Sequence, residues 1–89
     1  MEIEFDPQKN EKNIQQRGLS FADVVQFDFE TALFETDDRH DYGEQRIRAF
    51  GYLKQRLHAL VFTQTRSGIR VISFRKANKR EVKRYDATY

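Results

Sequence analysis

The chain of 89 residues has no cysteine, a single proline, four glycines and two histidines, His40 and His58. The missing thiols exclude a disulfide framework and thiolate metal sites, and two histidines are too few for an ordinary structural zinc site. No stretch approaches the ~18 consecutive apolar residues needed to span a bilayer. The opening Met1-Glu-Ile-Glu-Phe-Asp6 is acidic where a secretory signal would be basic. These absences lead to the expectation of a soluble, cytoplasmic protein that does not engage membranes. Repeats, linkers and low-complexity tracts are also missing, so residues 1–89 read as one domain. A chain of this length buries only a little over ~60% of its unfolded surface. Hydrophobic residues make up 38% of it, and eight Phe and four Tyr provide the large contact areas its core needs.

Charge is plentiful but unevenly placed. Residues 1–44 hold twelve acids against four bases. Residues 45–65 hold Arg46, Arg48, Lys54 and Arg56 with no acid, and residues 66–89 hold eight bases against Glu81 and Asp86. The net charge of +2 therefore hides an acidic half and a basic half, a division that points to a polyanionic partner.

Local signals along the chain predict an α+β domain. Glu2–Phe5 is a short strand candidate. Asp6 and Pro7 suit an N-cap and first helical position, and Gly18 a stop, predicting a polar surface helix over Pro7–Arg17. Ser20 then caps a second helix whose Phe21, Val24, Val25 and Phe27 form an apolar stripe. Strands are expected at Thr31–Glu35, Gln45–Leu53, Leu57–Arg66 and Ile69–Arg75, with turns at Lys54-Gln55 and Ser67-Gly68. Two N-terminal helices, an antiparallel sheet of three to four strands and a C-terminal helix make up the expected fold.

The stretch from Gly68 to Tyr85 concentrates the cations. A strand with β-branched Ile69, Val71 and Ile72 runs into a helical pattern in which Lys76, Lys79, Arg80, Lys83 and Arg84 share an arc of roughly 140°. Arg75 sits where strand meets helix. Such an edge suits a phosphate backbone. RNA cleavage can use the neighbouring 2′-OH as nucleophile, so the protein need only position the backbone, stabilise added charge on phosphorus and move two protons. Arg75 and Arg80 suit the charge-stabilising role through their planar forks. Arg46 and Lys79 are candidate backbone grips, with Arg48, Lys76, Lys83 and Arg84 as further RNA contacts. Glu44, His58 and Tyr85 are the candidate proton carriers, although His58 and Tyr85 equally suit a packed core. Arg46 and Arg48 share a strand face with Phe50 and Tyr52, an arrangement fit for stacking a base or for a half-exposed sheet face. The acidic loop Asp37, Asp38, His40, Asp41, Glu44 has oxygen and imidazole ligands but no metal-binding spacing. No metal or other cofactor is expected.

The chain resembles the BrnT family of type II toxins. The matching pieces are Phe5-Asp6-Pro7 with Lys9 and Asn13, Gly18-Leu-Ser-Phe-Ala22, Gly43-Glu44-Gln45-Arg46 with Gly51, and Ile69–Arg75 with Ala77, Arg80, Glu81 and Tyr85. Arg17 stands where the family usually has a histidine, and Asp28-Phe29 where it often has Asp-Pro. The resemblance implies a RelE-like fold and a metal-independent endoribonuclease that inhibits translation by cutting RNA. It also implies neutralisation by a BrnA-type antitoxin with a ribbon-helix-helix portion. A non-catalytic nucleic-acid-binding module or corepressor shares the charge pattern, as does a domain docking an acidic protein.

Overall fold

The computed structural model describes residues 1–89. In chain order it contains β1 (Glu2–Glu4), α1 (Pro7–Arg17), a 3₁₀ segment (Phe21–Gln26), β2 (Leu33–Thr36), β3 (Ile47–Leu53), β4 (Arg56–Gln64), β5 (Gly68–Lys76) and α2 (Lys79–Thr88). The five strands form one sheet in the order β1-β5-β4-β3-β2. All neighbours are antiparallel except β1, which pairs parallel with β5. The class is α+β, but the expected layout is overturned in two respects. The sheet is mixed and five-stranded rather than antiparallel with three or four strands, and only one α-helix lies between β1 and β2, the expected second helix being the 3₁₀ segment.

Both differences have physical causes. Phe21, Val24 and Phe27 recur every third residue and are all buried, whereas Val25 is 71% exposed. Three residues per turn is the 3₁₀ period, so this spacing stacks the three apolar side chains on one edge of the tighter helix. Ser20 does cap it, accepting from the Ala22 amide at 3.1 Å. The added strand, β1, contributes one inward side chain, Ile3, and is held by its pairing to Gly68–Arg70. Its approach requires glycine at 68, since a Cβ there would collide with the backbone of Glu2. Gly68 is already the first residue of β5, so the hairpin loop lies one residue earlier than the expected Ser67-Gly68 turn.

Helix α1 follows its local signals. Asp6 accepts from the Gln8 amide at 2.9 Å, Pro7 opens the helix, and Gly18 closes it at φ 66. No residue of α1 is buried, so two asparagines secure it. The Asn13 amide donates to the Leu19 and Phe74 carbonyls at 2.9 and 3.0 Å, and Asn10 accepts from the Phe21 amide at 2.7 Å.

The sheet separates two apolar clusters. One face packs Ala49, Leu60, Phe62, Ile69, Val71 and Phe74 against the 3₁₀ segment. The other packs Phe50, Leu57 and Ala59 against Ala77 and Tyr85 at the α2 side. Strict alternation from Ile69 would put Arg75 on the first face, in the core. A bulge between β4 and β5 prevents this: Phe62 pairs with Val71 but Val61 pairs with Ser73, leaving Ile72 as the extra residue. One inserted residue inverts the alternation beyond it. Phe74 thereby enters the core, fully buried, and Arg75 turns to the opposite face beside Ala59.

Candidate nucleic-acid interface

The face carrying Arg75 also carries Arg48, because Arg48 pairs with Val61, and Arg75 with Ala59, across the central strand. Ala59 and Val61 are small, so the longer residues on either side enclose a hollow above them. This cavity of about 220 Å³ is lined by Arg39, Arg46, Arg48 and Arg75, with Tyr42, Phe50 and Ser73 among its other walls. It is smaller than the ~300–1,000 Å³ sites that enclose whole small ligands. Such a volume suits a charged group presented on a longer chain. A neighbouring hollow of about 230 Å³ shares Arg48 and Phe50 and adds Arg80, Glu81 and Arg84 from α2.

Carboxylates orient most of these guanidinium groups. Glu81 holds Arg75 through two bonds of 2.8 and 2.9 Å. Glu35 bridges Arg48 at 2.5 Å and Arg84 at 3.2 Å. Asp37, whose own amide donates to the Arg46 carbonyl at 2.8 Å, holds Arg39 at 2.8 and 2.9 Å. Glu44 holds Arg70 at 2.9 Å and lies 3.6 Å from Arg46, an ion pair too long to be a hydrogen bond. Tyr42 supports Arg46 from below, its ring centre 3.8 Å from the guanidinium carbon. Arg84 lies 4.9 Å over the Phe50 ring. One feature remains unsatisfied: the Nε–H groups of Arg46 and Arg48 are buried and have no hydrogen-bond acceptor. Buried donors without acceptors are uncommon and cost about 1–3 kcal/mol each.

The ion pairs also decide which acids can move protons. The Arg39 fork beside Asp37 lowers its carboxyl to about 2. Hydrogen bonding from Arg75 lowers Glu81, and the same pair raises Arg75. Asp37 and Glu81 are therefore anions at neutral pH, suited to orienting arginines and not to donating protons.

The structure divides the residues that the sequence grouped together. Arg46, Arg48 and Arg75 meet at the cavity, Glu44 stands at its rim through Arg46, and Arg80 and Arg84 line the adjoining hollow. His58 lies on the opposite sheet face, buried beside Phe74 at 5.3 Å, with Nδ1 2.8 Å from the Arg56 carbonyl. Burial lowers its pKa. Tyr85 is buried under α2 and donates to the Thr31 carbonyl at 2.7 Å. Lys79 and Lys83 point to the other flank of α2, while Lys76, the last residue of β5, lies beside Arg17. Sequence reading missed Arg39, Tyr42 and Ser73. Arg39 and Tyr42 sit in the acidic loop examined for metal ligands, and Ser73 faces the cavity only because of the bulge. Within that loop Asp37 is committed to Arg39, and no three His, Asp or Glu side chains of the chain are grouped to hold a metal ion.

Residues 5–81 match the family described as "Ribonuclease toxin, BrnT, of type II toxin-antitoxin system". No curated protein gives a significant match. No helix is long and apolar enough to cross a membrane. The match covers both halves of the chain, the arginine cavity and the start of α2, and the chain belongs to the BrnT family of type II toxin-antitoxin ribonuclease toxins.

Proposed function

We propose that the arginine cavity is the RNA-cleaving site and that the protein inhibits translation by metal-independent cleavage of RNA. The observation that carries this reading is the convergence of four guanidinium groups, Arg39, Arg46, Arg48 and Arg75, on one cavity. A guanidinium has five donors, so a carboxylate that takes two leaves others for phosphate. Arg75 and Arg48 lie on opposite sides of Ala59 and Val61, and grip a phosphate from both sides. Tyr42, half-buried, is the cavity ring that a flanking base or sugar can reach.

In this scheme the RNA 2′-oxygen bonds to phosphorus as the bond to the 5′-oxygen breaks. Glu44 takes the 2′-OH proton, solvent supplies a proton to the 5′-oxygen, and the guanidinium groups stabilise the charge developing on the non-bridging oxygens. His58 and Tyr85 serve the fold in this scheme, and Arg80 extends the grip along the strand. The antitoxin implied by the family is proposed to be of the BrnA type, with a ribbon-helix-helix portion, and to neutralise the toxin by covering this face.

Purified protein incubated with bulk RNA and EDTA tests the reading. Cleavage that persists with EDTA and falls on the order of 100-fold in Arg48→Ala supports it. Binding without cleavage would replace it with a non-catalytic RNA module.

A further inference from the structure

Not all the cations surround the cavity. Arg17, Lys54, Arg56, Lys76, Lys79 and Lys83 are exposed, and none is ion-paired. They line three hollows of about 590, 390 and 310 Å³ that share walls. Arg56 and Gln55 belong to the first two, and Gly18 and Leu19 to the last two. The hollows therefore form a trough from the Lys79/Lys83 flank of α2, past the β3–β4 turn, to the end of α1. Helix α2 is the ridge between trough and cavity, since Arg80 and Arg84 line the hollow beside the cavity.

We propose that this trough is a second RNA-binding surface that follows the phosphate backbone of the strand entering or leaving the cavity. The inference rests on the ribonuclease reading and adds a division of labour: the trough supplies affinity and the cavity supplies chemistry. Ion pairing separates the two sets of cations. The cavity arginines are oriented by carboxylates, which fixes geometry but offsets charge. The trough cations carry uncompensated charge, and each one that neutralises a phosphate releases counterions condensed on the RNA, which drives binding. Arg56 alone is fixed, by donating to the Ala77 carbonyl at 3.2 Å. Lys79 and Lys83 stand one helical turn, about 6 Å, apart along α2. Acids on the trough are limited to Asp23 and Asp86, and its rings to Tyr52 and the buried His58. Few rings mean little base stacking, so contact with the backbone dominates and sequence preference is weak. A lysine-rich surface with few exposed apolar anchors also matches RNA better than a protein partner, because lysine is depleted in protein interfaces.

The test compares wild type with Arg17→Gln/Lys54→Asn/Arg56→Gln, using asparagine at 54 because that residue has φ 59. A labelled, uniformly 2′-O-methylated RNA strand measures affinity across a salt series. A second variant, Lys9→Gln/Lys12→Gln/Arg66→Gln, removes three exposed cations outside the trough. The trough variant is expected to flatten the slope of log affinity against log salt by about 2, at ~0.7 per lost contact. Its single-turnover cleavage rate at saturating unmodified RNA should stay within about 2-fold of wild type, and the control variant should keep the wild-type slope. An unchanged slope in the trough variant, or an equal drop in the control, overturns the proposal. Weakened binding to polyglutamate with an unchanged RNA slope would assign the trough to an acidic polypeptide instead. If wild type binds the strand but cleaves no RNA, the ribonuclease reading fails, while the slope comparison still decides whether RNA uses the trough.

Discussion

Arg75 and Glu81 allow structural and chemical roles to be separated. Glu81 has two tasks. It receives both hydrogen bonds from Arg75, and it completes a capping box by accepting from the Asn78 amide at 2.9 Å while its own amide donates to Asn78 at 2.8 Å. Its side chain is 16% accessible and that of Arg75 is 34%. Solvent screening at Arg75 limits the pair to about 1 kcal/mol, and half of the capping box is worth about another 1 kcal/mol. Glu81→Ala should therefore lose about 2 kcal/mol, lowering Tm by roughly 8–16 °C for a domain of this size. Glu81→Gln retains an oxygen for the Asn78 amide and should lose about half as much. Arg75→Ala keeps the cap and should cost about 1 kcal/mol. Activity should follow a different order. Removing a donor aimed at developing charge costs on the order of 100- to 1,000-fold in kcat, so Arg75→Ala is nearly inactive. Glu81→Gln, which keeps an oxygen toward Arg75 but loses the ion pair that orients it, should cleave more slowly than wild type yet far faster than Arg75→Ala. Thermal melts followed by circular dichroism, with single-turnover cleavage well below each melting temperature, provide both readouts. Loss of activity in Glu81→Gln equal to that in Arg75→Ala would refute the reasoning and make the pair a structural strut.

Three further outcomes follow from the fold. Gly68→Ala should detach β1 from β5, because the new Cβ meets the backbone of Glu2 and backbone cannot yield as a side-chain tip can; hydrogen exchange at the β1 amides should rise and stability fall by about 1–3 kcal/mol. His58 has a folded pKa below 6.5, so the unfolded state takes up the proton first. Stability should therefore be full above pH 6.5 and decline as pH falls from there toward the lowered folded value, and His58→Gln, which can still donate to the Arg56 carbonyl, should flatten denaturant midpoints across that window. Asp37 is lowered from 3.8 to about 2, so its contribution is present above pH 3.8 and disappears as pH falls toward 2; Asp37→Asn should remove that acid-dependent component and loosen Arg39.

Much of the fold was legible where chemistry is local. Asp6, Pro7 and Gly18 mark the ends of α1, and the alternating apolar pattern of β3, β4 and β5 places the central hairpins. The 3₁₀ segment was misread because Phe21, Val24 and Phe27 satisfy a spacing of three, which an α-helix of two turns nearly satisfies too. Nor could Glu2-Ile3-Glu4 announce a partner more than sixty residues away, since parallel pairing leaves no local signature in so short a strand. The site was legible in residue type but not in placement. Arg46, Arg48 and Arg75 were singled out, yet the bulge at Ile72 decides that Arg75 faces the cavity. The even cationic arc expected along α2 is split by the sheet beneath it, with Arg80 and Arg84 on one flank and Lys79 and Lys83 on the other. Arg39 and Tyr42 reach the cavity from a loop whose path is set by long-range contacts, among them the Arg70 guanidinium to the Glu44 carboxylate.

The most direct measurement is ¹⁵N NMR of the arginine Nε–H groups during titration with a short RNA strand carrying a 2′-deoxy sugar at the cleavage position. Arg46 and Arg48, whose side chains line the cavity, should show the largest shifts as phosphate occupies it. Unchanged Arg46 and Arg48 signals, with shifts confined to cations elsewhere, would contradict the assignment of the cavity as the cleavage site.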